Sequence, residues 1–214
     1  MLQTTATLLA LSVFSAITLA EDGATDGDTL NRVPSVYVIP MIGQMGTDIH
    51  GSIYEDIIKD VKKVNPDIVI FQLKSADIDD INYRANDDRK ESGMVDIEGY
   101  RDLVIDLHEE IDAQQVMWVE DSVGIASLFA MAWPDMYMSD NARLWGLELL
   151  SKAAAGWSDP EVASKMLNAW VAIGNGFLQK GEYPLELGFA MMRPEFKLSA
   201  KFKGREVDWA NDTA

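Results

Sequence analysis

Three short β-branched runs set the frame for everything else in this chain. They are Val36-Tyr37-Val38-Ile39, Asp67-Ile68-Val69-Ile70-Phe71-Gln72-Leu73 and Gln115-Val116-Met117-Trp118-Val119. Each is too short for a helix and mostly apolar, which is the pattern of a buried strand. Between them the period changes. Ile49, Ile53, Ile57, Ile58 and Val61 recur at helical spacing from Asp48 to Val64, until Asn65-Pro66 stops the helix. Tyr100, Leu103, Val104 and Leu107 define a second amphipathic helix from Ile97 to Ile111. Further elements follow: a helix from Gly124 through Trp133, a strand over 135–138, and a helix from Pro160, capped by Ser158-Asp159, to Gln179. Alternation around Lys203-Gly204 predicts a terminal hairpin. Strands alternating with helices predict an α/β fold with a mostly parallel sheet, flanked by helices on both faces. Residues 74–95 read as a long polar loop.

Composition narrows the function classes. The chain has 214 residues, 48% hydrophobic and 25% charged, which fits one globular domain. Its 35 acidic and 18 basic residues give a net charge of −17, which repels nucleic acid and anionic lipid headgroups. Without cysteine there are no disulfides and no thiolate chemistry. The two histidines, His50 and His108, have no partner His near them, so no metal site and no cofactor is expected. Residues 1–20 carry no charge, and the apolar run from Ala6 to Ala20 is shorter than a membrane span. Thr18 and Ala20 are small residues placed for cleavage before Glu21. Residues 1–20 therefore read as a signal peptide, which predicts export to a periplasmic or extracellular space; an N-terminal membrane anchor is the alternative. Residues 21–34 read as a flexible lead-in, 35–194 as the main domain and 195–214 as a hairpin extension.

In sequence order, SVYVIPMIGQM, PDIVIFQL and QVMWVEDSVGIASLFAMAWPDMYMSDNARLWG resemble the Clp protease/crotonase superfamily. The similarity is greatest to the signal-peptide-peptidase-like and NfeD-like membrane serine peptidases, and it spans about residues 35–190. The resemblance implies a Clp/crotonase-like fold, homo-oligomers, and a Ser-Lys hydrolase site acting on peptides. The nucleophile would open the helix before the Met136-Tyr137-Met138 strand, where free amides and the helix dipole favour an oxyanion.

Aligned without gaps, that position falls on Gly124. Ser122 stands two residues before it and Ser127 one turn after it. Lys165 falls at the base position, and Ser75-Ala76-Asp77-Ile78 stands where the family has its glycine-rich oxyanion loop. The resemblance thus implies a serine-peptidase homologue that has lost its serine and binds or assembles with a peptide or protein partner. The alternatives are an active peptidase using Ser127 or Ser122 with Lys165, and a small-ligand or acyl binder using amides at Gly124, Ala76 and Asp77.

Each candidate also has a plainer reading. Ser127 is also a small helix residue, Ser122 a turn or cap residue, Lys165 a surface lysine and Gly124 a tight turn. Glu120 and Asp121, at a strand's end, can hold a cation or cap the helix. Asp79-Asp80 and Asp87-Asp88 read as a solvated loop, with weak calcium binding as the alternative. The apolar segment from Leu144 to Ala155 reads as an oligomer interface.

Overall fold

In space the strands follow their order in the chain, and every pairing in the main sheet is parallel. A computed structural model describes residues 32–46, 48–75, 97–193, 195–204 and 206–211. The elements are β1 (Val36–Ile42), α1 (Gly51–Val64), β2 (Ile68–Ser75), α2 (Ile97–Glu110), β3 (Gln114–Val123), α3 (Ile125–Ala130), β4 (Met136–Met138) and β5 (Leu144–Trp145). They continue with α4 (Glu148–Ala154), α5 (Pro160–Lys180), α6 (Leu185–Met192), β6 (Leu198–Lys203) and β7 (Glu206–Asn211). The main sheet runs β1-β2-β3-β4, with β5 also paired to the end of β3. β6 and β7 form the expected antiparallel hairpin. Residues 34–214 make one compact unit; of the other, 1–33, Arg32 and Val33 are described. The expected loop lies almost wholly outside the described residues, as do both of its aspartate pairs. Among the described residues no helix is long and apolar enough to cross a membrane.

This strand order has a consequence for the layers. Parallel crossovers are right-handed, and a sheet that grows in one direction then places every connecting helix on one face. The helices form such a layer: α1 packs on α2, α2 on α3 and α5, and α5 on α4 and α6. Under that layer Ile39, Met41, Val69, Phe71, Leu73, Met117 and Val119 are buried. The opposite face is exposed at Val36, Val38, Trp118 and Tyr137. Among the described residues, helices therefore flank the sheet on one side, not on the two that the apolar runs predict.

The core centres on Trp133, which has no exposed surface. Its ring meets Phe71 and Phe129 at centroid distances of 5.0 and 5.1 Å and stacks on His108 at 4.9 Å. Its Nε1 donates to Gln115 Oε1 at 2.8 Å, and Gln115 Nε2 donates to the carbonyls of Leu107 and Ile111. The indole is thus satisfied by a side chain that also closes the end of α2.

Candidate functional site

The candidate site is the turn from β3 into α3. β3 does not end at Glu120 or Asp121, as the sequence suggests, but runs on to Val123. Pairing with β5 carries it further, with Ser122 opposite Leu144 and Val123 opposite Trp145. The β2 register shifts between Leu73 and Lys74, and this bulge takes up one residue at Glu120. Glu120 is held by Gln72 and lies 3.8 Å from Lys74 Nζ. Asp121 accepts from the Ser122 amide at 3.0 Å and from Arg143 Nη2 at 2.9 Å. Both carboxylates of the acidic pair are therefore engaged by the chain itself. Among the described residues no group of three or more His, Cys, Asp or Glu side chains is placed to hold a metal ion.

Gly124 forms the hinge of the turn. Its φ of 60° and ψ of −127° are unfavourable for a residue with a Cβ, and it caps α3 without a side chain. A sharp strand-to-helix turn of this kind is what a nucleophile elbow uses to present a serine. Here a Cβ at Gly124 would meet only the Gly146 carbonyl, at 3.9 Å. The space would admit a small side chain, while the backbone angles favour glycine.

The Gly124 amide is not an open donor. It bonds to the Trp145 carbonyl at 2.8 Å, inside the chain. Gly146, with φ of 76°, lets this approach happen: a Cβ there would come within 2.6 Å of Val123 Cγ2 and 3.2 Å of the Gly124 nitrogen. The notch expected at Gly124 is thus filled by the chain's own 145–146 segment. Ala76 and Asp77, its other proposed walls, lie outside the described residues.

The two serines are brought together, away from solvent. Ser122 and Ser127 both have zero exposure, and their Oγ atoms are 3.0 Å apart. Ser122 Oγ donates to the Arg143 carbonyl at 2.9 Å. Ser127 Oγ donates to the Trp145 carbonyl and accepts from the Trp145 amide, each at 3.1 Å. Two hydroxyl protons thus serve three contacts, and the pair clamps residues 143–145 against β3 and α3. The Arg143 guanidinium then covers the Trp145 ring at 5.1 Å.

Lys165 stands apart. It lies on α5, its side chain is 73% exposed, and its Nζ bonds to Glu161 one turn earlier at 2.6 Å. The burial that a base lysine needs in the resembled peptidases is absent. Of the segment from Leu144 to Ala155, Leu147, Leu150 and Ala154 are buried within the chain. The partners Arg143, Trp145 and Gly146 are not among the residues that the sequence singles out for this site. Only Gly146, a glycine directly after a Leu-Trp strand, offered a signal for them.

No protein-family model matches the chain, and no curated protein matches it. Among solved structures, a peptidase from Plasmodium falciparum is similar at 11% identity and a TM-score of 0.45, over 82% of this chain and 87% of that one.

Proposed function

We propose that this chain is an exported, Clp/crotonase-like relative of serine peptidases that has no nucleophile and acts by binding or assembly with a peptide or protein partner. The observation that carries this reading is the conformation of Gly124, an elbow-like turn at the position where the resembled peptidases place their serine. The surroundings support it. The two neighbouring hydroxyls are buried and spent on main-chain groups, and Lys165 is exposed and paired with Glu161. A Ser-Lys site needs a reachable hydroxyl beside a buried amine. Export rests on the uncharged residues 1–20 and the small residues before Glu21.

Incubation with an unstructured peptide mixture, followed by mass spectrometry, tests the reading. The expected result is an unchanged peptide spectrum alongside retention of peptide or protein on the immobilised chain. Cleavage that disappears in Ser127→Ala, Ser122→Ala or Lys165→Ala would replace it with an active Ser-Lys peptidase.

A further inference from the structure

We infer that the loop between α5 and α6, residues 181–184, is an acid-released latch: protonation of His108 frees it from the turn at residues 131–133 while the sheet stays folded. Three successive carbonyls of that turn are held from outside it. Gly181 lies against the Met131 carbonyl so closely that a Cβ there would come within 2.1 Å of the oxygen. The Ala132 carbonyl accepts from His108 Nε2 at 3.1 Å, and the Trp133 carbonyl accepts from Tyr183 Oη at 3.3 Å. One helix, α2, and one loop thus close on the same three residues. Burial, and then the Asp135 carboxylate, raise the Tyr183 hydroxyl from its ordinary value, so it remains a donor in acid and at neutrality. His108 is the contact that a proton changes.

The ring's surroundings supply the trigger. A carbonyl only accepts, so Nε2 carries the proton and Nδ1 is the nitrogen that takes up another. The neutral ring lies on Trp133, with 4.9 Å between centroids and 24° between planes. Burial is the larger cause that keeps it neutral and the Lys180 charge the second, with the Ala132 hydrogen bond opposing both. Charged groups reach this junction from several elements. Lys180 and Glu182 flank Gly181, and Asp135 stands just before β4 and bonds to Gln114. On α2 itself Glu109 is exposed, and Glu110 pairs with Lys62 of α1. Of these, the Lys180 ammonium acts on the ring. A second proton sets a like charge beside it in a half-buried place, and opening the loop relieves both costs.

The loop is also under strain. Glu182 has a φ of 61°, the left-handed conformation that glycine usually supplies at a helix end. Release lets that residue relax. α6 follows directly and packs on α4, α5 and both hairpin strands, so the latch sets how firmly the C-terminal elements are held. The inference is independent of whether catalysis survives, since none of these residues belongs to the Gly124 turn.

Hydrogen exchange of the full chain, read by mass spectrometry from about pH 7 to about pH 4.5 and corrected for intrinsic rates, tests it. The reporters are the amides of Gly181, Glu182 and Tyr183, which bond to the carbonyls of Phe177, Gln179 and Leu178. Their protection should fall about tenfold or more on acidification, while that of β3 holds. One proton drives the change, so the fall should not exceed about tenfold per pH unit. His108→Gln should abolish the fall, and Lys180→Gln should shrink it. Unchanged protection in the wild type overturns the inference. So does a fall steeper than one proton allows, an equal fall in either variant, or a fall that β3 shares.

Discussion

Residues 125–133 and residues 160–169 make an informative pair. The first stretch, α3 and the turn after it, is buried at all nine positions, Ser127 among them. The second, the opening half of α5, has no fully buried residue and carries Lys165. One stretch holds a hydroxyl without access, the other an amine without burial. Hydrolysis by a serine and a lysine asks for the opposite of each: an accessible hydroxyl and a desolvated amine. The difference predicts that the two stretches tolerate change very differently, and each of the following measurements would sharpen or break it.

The largest effect is expected at Phe129, packed against Trp133 with no exposure. Phe129→Ala should cost about 3–5 kcal/mol in chemical denaturation; a loss under about 1 kcal/mol would mean that the first stretch is not the packed region described. Ser127→Ala comes next. It strips the Trp145 amide of its acceptor in a buried place and should cost about 1–3 kcal/mol. A neutral outcome would break the clamp and return Ser127 to being a spare hydroxyl.

His108 gives a pH-dependent version of the same test. Burial, with help from the Lys180 charge, pushes its imidazole down to about 4, against a smaller opposing pull from its hydrogen bond to the Ala132 carbonyl. A folded-state value below the unfolded 6.5 means that the unfolded chain binds the proton more readily. Stability from this group is therefore complete above pH 6.5 and falls as the pH drops towards 4. Because the ring is partly exposed, a discounted loss on the order of 1–2 kcal/mol is expected. Urea midpoints of wild type and His108→Gln at pH 7 and 4.5 isolate it, and the variant should lose less on acidification. Equal losses would show that the imidazole is not held neutral against Trp133. Lys165→Ala should have the smallest effect, under about 0.5 kcal/mol, as an exposed ion pair with Glu161 warrants.

Much of this architecture is legible in the residues, and the gaps have physical causes. The first three strands, α1, α2, α5 and the hairpin follow from apolar period, from the stop at Asn65-Pro66 and from the start at Asp159-Pro160. β3 runs past its expected end because Asp121 and Ser122 are polar, yet pairing with β5 and bonds to Arg143 satisfy them there. No local signal carries that information. The open face is hidden for a different reason. Ile68-Val69-Ile70-Phe71 is apolar on both sides, which reads as burial on both sides, while strand order alone decides where the helices go. Gly124 is placed at the turn by counting back from Met136, but the commitment of its amide to Trp145 depends on a β5 that is only two residues long. α4 and α6 have no clear signature in the sequence: one is a helix of seven residues, and the other is apolar with no clear face.

Intact-mass measurement after prolonged exposure of the folded chain to excess fluorophosphonate is the most direct trial of the central claim. An unmodified mass is the predicted result, because in the proposed reading Gly124 stands at the nucleophile position and Ser122 and Ser127 are buried. A stoichiometric adduct that maps to Ser122 or Ser127 would contradict it.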